Sequence, residues 1–170
     1  ANHRSRQHSA AMGNRSSVGC ACGEKYFSYA METRSEALQA FIKEITVGLE
    51  CVPNLLRDGE GEDRKLPLLF FIVQQRERVE PQFQEAKISE SYKKARSMTN
   101  KLVVVLCQCA KTITHSFSMN QFNQMDAVKD APCDAVVQFC YQRGEKGCAK
   151  WKENRVGNKC IKKYLQQFGR

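Results

Sequence analysis

The residues of this sequence best suited to catalysis are two cysteines and a histidine at the end of its most apolar segment. Cys107 and Cys109 close the run KLVVVLCQC, and His115 follows them by six to eight residues. A thiol becomes a nucleophile when a neighbouring imidazole lowers its pKa, and open α/β sheets bind ligands where their strands end. The spacing therefore supports a cysteine-dependent enzyme that uses Cys107 or Cys109 with His115. The favoured alternative is a pair of core thiols and a surface histidine.

Motifs for phosphate binding and acyl transfer are missing from the sequence. It contains no G-x-x-x-x-G-K loop, no G-x-G-x-x-G after an apolar run, and no G-x-S-x-G elbow. Its close cysteine pairs, 20/22 and 107/109, have C-x-C spacing, whereas zinc sites usually use C-x2-C pairs. The sequence thus assigns no metal and no cofactor, and it favours a protein that is not an enzyme.

The stretch MGNRSSVGCACG, residues 12 to 23, predicts a site of fatty acylation. It fits the myristoylation pattern M-G-x-x-x-[ST] if Met12 is the initiator, with Gly13 as the acceptor. Cys20 and Cys22 follow closely as palmitoylation sites, and a second acyl chain makes membrane attachment stable. Two alternatives stay open: a plain flexible tail, and a secreted tail glycosylated at Asn14.

Positive charge is concentrated at the two ends of the chain. Residues 143–170 carry nine Lys or Arg against two Glu, a net +7, whereas residues 26–142 carry a net −1. This distribution favours an acidic protein face or an anionic membrane as the partner. Nucleic acid is a weaker alternative, in which an aromatic side chain stacks a base. A further alternative is an ordinary solvated surface that binds no partner. The predicted partner-binding residues are Arg143, Lys146, Lys150, Trp151, Lys152, Arg155, Lys159, Lys162 and Lys163.

The redox state of the nine cysteines would indicate the cellular compartment of the protein. Reduced thiols inside a cell are the favoured interpretation, which predicts a cytoplasmic protein with membrane association through the acylated N-terminus. The alternative is a secreted protein that pairs eight cysteines and leaves one.

Hydrophobic periodicity predicts alternating strands and helices. Apolar runs without alternation indicate strands that are covered on both faces, as in a parallel sheet. In the first predicted helix the apolar positions Leu38, Phe41, Ile42, Ile45, Leu49 and Val52 share one face, and Pro53 ends the pattern. Pro81 predicts a loop over residues 77–84. The predicted strands are 25–31, 66–75, 101–109 and 134–142, and the predicted helices are 34–51, 84–99 and 157–168, with a short helix allowed within 110–132.

This alternation predicts an α/β fold: one domain with a mostly parallel open sheet, flavodoxin-like or related, and helices on both faces. Residues 1–25 are predicted to be a flexible basic N-terminal tail. Residues 26–170 are predicted to form the single α/β domain, which ends in a basic C-terminal helix.

The segment KYFSYAMETRSEALQAFIKEI, followed by KLVVVLC, resembles Toll/interleukin-1 receptor (TIR) homology domains. Such domains open with an aromatic–Ser–Tyr strand and a helix, and the loose resemblance covers about 50 residues. It implies a flavodoxin-like sheet. After the apolar strand those domains commonly show Trp-Cys and a glutamate, whereas this chain has QCAKTITHSFSMNQF. The departure removes support for an NAD-cleaving activity.

Together these observations predict a non-enzymatic protein-interaction or signalling adaptor module. Its partner is a protein or an acidic surface, and an acylated N-terminus is its membrane anchor. The two alternatives are a secreted, disulfide-stabilised binding protein and a cysteine-dependent enzyme.

Overall fold

The computed structural model describes residues 25–31, 36–57, 64–76, 78–110, 112–141 and 154–169. These ranges contain five strands and five helices. The strands are β1 (Tyr26–Met31), β2 (Val52–Leu55), β3 (Leu69–Gln74), β4 (Leu102–Cys109) and β5 (Ala135–Tyr141). The helices are α1 (Glu36–Gly48), α2 (Val79–Gln84), α3 (Ala86–Ser97), α4 (Met119–Gln124) and α5 (Arg155–Phe168).

The strands form one sheet in the order β2-β1-β3-β4-β5. All four pairings are parallel, for example Tyr26 opposite Val52 and Leu69 opposite Leu102. Parallel neighbours need long crossover connections, which the helices supply. The strand order reverses between β1 and β3, as in flavodoxin-like sheets. The predicted α/β class with a mostly parallel open sheet is therefore confirmed.

Both faces of the sheet are covered, and each face has its own core. Alternate residues of a strand point to opposite faces, so Val103 and Val105 join one core while Val104 and Leu106 join the other. The first core lies against α1 and α5 and contains a stacked ring pair, Phe27 and Phe70, with centroids 4.3 Å apart. Residues of α2, α3 and α4 bury the second core, whose rings meet edge to face.

Strand β2 was not predicted. Its sequence VPNL is short and half exposed, and Pro53 resembles a simple helix stop. Pairing with β1 makes it a strand, and a proline is tolerated on an edge strand because its missing N–H is not needed there. The assignment of Val52 to the buried face of the first helix was therefore wrong, since the helix ends at Gly48 and Val52 is exposed.

The loop predicted over residues 77–84 was also wrong. Residues 79–84 form α2, and Pro81 lies in its first turn, where a helix needs no backbone N–H from that residue. Buried Val79 and Phe83 hold this short helix on the sheet.

The remaining predicted elements are confirmed within a few residues. The short helix allowed after β4 is α4, and a reciprocal cap begins it: the Gln121 backbone N–H donates to Ser118 Oγ at 3.2 Å, and Gln121 Oε1 accepts from the Ser118 N–H at 2.8 Å. Helix α5 buries Ile161 and Leu165 as its periodicity predicted. Of the predicted tail over residues 1–25, only Lys25 lies within the described residues.

Candidate functional site

The predicted cysteine–histidine pair lies at the carboxyl end of β4, where the thiols and the backbone of His115 belong to different faces of the sheet. Cys107 is fully buried in the core shared with α1 and α5. Cys109, two residues further along, lies on the same face and is exposed. Only one of the two thiols is therefore a core residue, which corrects the expectation that both are.

His115 is held from the opposite face of the sheet. Its main-chain carbonyl accepts hydrogen bonds from the Gln108 and Gln138 side chains, at 2.9 Å and 2.7 Å. These two side chains alternate with the residues that face α1 and α5, so they lie on the face of α2, α3 and α4. The exposed imidazole has its Nδ1 3.0 Å from Thr114 Oγ1. The backbone of His115 and the two thiols thus lie on opposite faces of the sheet.

Three glutamines fix the segment that follows β4, and we call them the glutamine cluster: Gln75, Gln108 and Gln138. Gln75 Oε1 accepts from Gln108 Nε2 at 3.0 Å and from Gln138 Nε2 at 2.9 Å. Gln108 Oε1 accepts from both the N–H and the hydroxyl of Thr114, and Gln138 Oε1 accepts from the Phe117 N–H. Each amide oxygen has a donor, so the cluster ties residues 114–117 to three neighbouring strand ends.

The glutamine cluster was not predicted, although a signal for it exists. Gln75, Gln108 and Gln138 each interrupt or directly follow a strongly apolar strand. A polar side chain at a position that should be buried needs a partner, because an unpaired buried amide costs about 1–3 kcal/mol. The cluster fills the carboxyl edge of β3, β4 and β5, where sheets of this class often hold ligands.

Burial raises the pKa of several thiols outside the predicted pair. The pKa of Cys133 rises to about 12, because the side chain is desolvated and Asp134 lies close by. Burial also raises the pKa of Cys140 and of Cys160, although Lys163 partly offsets the effect at Cys160. Thiols of this kind stay protonated at neutral pH and are weak nucleophiles.

Cys51 and Arg57 have the C-x5-R spacing of cysteine phosphatases, a match that the sequence reasoning missed. In such enzymes the intervening residues curl around an anion. Here they include β2, whose extended backbone rises about 3.3 Å per residue and carries the two ends apart. Burial also raises the pKa of Cys51 to about 11, the opposite of what a nucleophile needs. This spacing does not build an anion cradle.

The basic side chains of α5 form the second candidate site. Helix α5 contains four cationic residues and no Asp or Glu. Arg155, Lys159, Lys162 and Lys163 are all exposed, and we call them the α5 surface. They line an open volume of about 960 Å³ together with Val156, Asn158, Cys160 and Gln166, and all of these described lining residues belong to α5. The other predicted partner-binding residues, Arg143, Lys146, Lys150, Trp151 and Lys152, lie outside the described residues.

Helix α5 is anchored firmly along β5. Asn154, which precedes the helix, accepts from the Cys140 N–H at 2.8 Å and donates to the Cys140 carbonyl at 3.1 Å. Gly157 allows the first turn to approach β5, since a Cβ there would lie 2.9 Å from the Phe139 ring. Near the other end, the Tyr164 hydroxyl donates to the Asp134 carbonyl at 3.2 Å. The α5 surface is therefore presented by a rigid element.

A smaller cavity adjoins the α5 surface at the carboxyl edge of the sheet, and we call it the edge pocket. Its volume is about 340 Å³. Ile113, from the segment after β4, and Val156, from the first turn of α5, contribute apolar side chains to its lining. Arg155 and Val156 border both the edge pocket and the larger open volume beside α5, so the two adjoin each other.

The predicted acylation sites, Gly13, Cys20 and Cys22, lie outside the described residues. None of the helices within the described ranges is long and apolar enough to cross a bilayer. The same ranges hold no group of three or more His, Cys, Asp or Glu side chains arranged to bind a metal ion. The six cysteines that they contain are thiols: Cys51, Cys107, Cys109, Cys133, Cys140 and Cys160.

Comparison with protein-family models, curated proteins and solved structures gives no significant match. The resemblance to TIR homology domains stays a resemblance of sequence. Its implication of a flavodoxin-like sheet agrees with the observed strand order.

Proposed function

We propose that this chain is a protein-interaction module that binds an acidic protein surface through the α5 surface. The observation that carries the proposal is the grouping of four exposed cationic side chains on one face of a helix without acidic residues. Within the described residues, Arg155, Lys159 and Lys163 form no salt bridge, so their charges are available to carboxylates of a partner.

An exposed apolar side chain beside the cations supports a protein partner. Val156, at 86% exposure, stands between the cations and offers an apolar contact of the kind found at the centre of protein interfaces. Acylation at Gly13, Cys20 and Cys22 belongs to the same proposal as the membrane anchor of the module.

The separation of His115 from the two thiols counts against a cysteine-dependent enzyme. A general base must lie within hydrogen-bond reach of its nucleophile, whereas here the backbone of His115 is bonded on the other face of the sheet from Cys107 and Cys109. The raised pKa values of Cys51 and Cys133 count against those thiols as nucleophiles.

The test compares two charge reversals of equal size on different helices. One variant is Lys159→Glu/Lys163→Glu on α5, and the control is Lys87→Glu/Lys93→Glu on exposed positions of α3. Both lower the net charge equally. Binding is measured against immobilised poly-L-glutamate, with phosphatidylserine vesicles and double-stranded DNA as comparison probes. We expect the α5 variant to weaken poly-L-glutamate binding at least about tenfold and the control to change it less than about twofold.

Two results would contradict the proposal. An equal loss in both variants would show that net charge, rather than the α5 surface, controls binding. Tighter binding of the unacylated chain to vesicles or DNA than to poly-L-glutamate, lost in the α5 variant, would assign the surface to lipid or nucleic acid instead of an acidic protein. Binding should also weaken as the salt concentration rises, because exposed charges are screened over about 8 Å at physiological ionic strength.

A further inference from the structure

The edge pocket limits which acidic segments can bind, and this inference rests on the proposed function. Two polar side chains that border the pocket, Gln138 and Asn154, are already engaged elsewhere, whereas the charge of Arg155 is available to a ligand. The Gln138 amide is bonded within the glutamine cluster and to the Phe117 N–H, and the Asn154 amide is bonded to the backbone of Cys140. These side chains therefore have little hydrogen-bonding capacity left for a ligand.

The apolar side chains of the pocket, by contrast, are not covered by any of the described residues. Ile113 is 42% exposed and Val156 is 86% exposed, and both border the same cavity. A single exposed apolar residue is ordinary on a protein surface, whereas two at one concave site indicate a contact for a ligand. Burial of an apolar group between them would remove apolar surface from water on both partners.

We propose that the edge pocket receives one apolar side chain of the partner, and that acidic residues next to it in the partner's sequence pair with the α5 surface. Arg155 and Val156 border both cavities, so a single extended segment can occupy them together. The occupant is therefore an acidic segment with one leucine-sized or phenylalanine-sized anchor. The distance between the edge pocket and Lys159 sets how far the apolar anchor lies from the acidic residues in the sequence of the segment.

The experiment selects partners from a random-sequence peptide library displayed on phage, with the wild-type protein as bait. We expect the selected peptides to be acidic and to share one large apolar residue at a fixed position. Each selected peptide is then compared with a version that carries serine in place of the anchor, by fluorescence polarisation. The serine version should bind about tenfold more weakly.

A variant of the protein locates the anchor. Val156→Ser removes the apolar wall at an exposed site in the first helical turn, where serine is tolerated. Val156→Ser should weaken the binding of the anchored peptide. The anchored and serine versions should then bind the variant with similar affinity, because the change in the protein and the change in the peptide remove the same contact. The matched control is Val47→Ser, at an exposed valine of α1, which should change neither affinity.

The outcomes separate this inference from the proposed function. If the selected peptides are acidic and lose affinity with Lys159→Glu/Lys163→Glu, but bind equally with and without the apolar residue, the anchor is refuted and the proposed function stands. An equal effect of Val156→Ser on both peptide versions also refutes the anchor. If the selected peptides lack acidic residues, or ignore the α5 charge reversal, both the proposed function and the inference fail.

Discussion

Replacement of Gln108 by methionine should lower the free energy of unfolding by about 3 kcal/mol. The Gln108 amide makes four hydrogen bonds in the structure. Its Nε2 donates to Gln75 Oε1 and to the His115 carbonyl, and its Oε1 accepts from the Thr114 N–H at 3.0 Å and from the Thr114 hydroxyl at 3.1 Å. A hydrogen bond contributes about 0.5–1.5 kcal/mol net, so four give roughly 2–6 kcal/mol. Methionine keeps the length of the side chain, and its apolar burial offsets part of the loss.

Two measurements check this prediction. Chemical denaturation gives the change in unfolding free energy, and the thermal midpoint should fall by about 6–12 °C for a chain of this size. Hydrogen exchange gives the local effect. The Thr114 N–H loses its acceptor in the variant, so its exchange should quicken up to about a hundredfold.

The control is Gln84→Met, which makes the same chemical change at an exposed position in the last turn of α2. It should change the unfolding free energy by less than about 0.5 kcal/mol. The reasoning is refuted if Gln108→Met is as stable as the control and the exchange of Thr114 is unchanged. That result would mean that the glutamine cluster does not hold the segment after β4.

Two further predictions concern α5 and a buried thiol. Gly157→Ala should lower the free energy of unfolding by about 1–3 kcal/mol in chemical denaturation. The added Cβ would lie 2.9 Å from the Phe139 ring and 3.1 Å from the Gln138 carbonyl oxygen. An unchanged denaturation midpoint would show that α5 is not packed against β5 as described. Among the six cysteines of the described residues, iodoacetamide should label exposed Cys109 first in the native protein. Cys133 should react slowly at neutral and mildly alkaline pH, because burial shields the thiol and raises its pKa, and the thiolate is the reactive form. Mass spectrometry of digests taken over time measures both rates, and fast labelling of Cys133 near pH 8 would contradict its burial.

Local pattern was enough to predict most of the fold. The run Val103 to Val105 is β-branched and apolar on both faces, so it suits only a strand covered by two layers. In α5 the apolar residues recur at helical spacing with lysines between them, and this pattern is independent of any distant contact. Sequence likewise placed Lys159, Lys162 and Lys163 away from the apolar stripe of this helix, whereas Arg155 lay outside the predicted helix.

Tertiary structure decided the features that depend on distant partners. Residues Val52 to Leu55 are a strand because β1 lies beside them. Helix α2, which tolerates Pro81 in its first turn, is held by the burial of Val79 and Phe83 against the sheet. The strand register brings Gln75, Gln108 and Gln138 together at one sheet edge, although Gln75 and Gln138 are 63 residues apart. Hydrophobic period reports which side of an element is buried. It carries no information on which buried polar groups will meet. The sequence therefore marks the three glutamines as polar positions at apolar strands, but it predicts neither their contacts with one another nor the edge pocket.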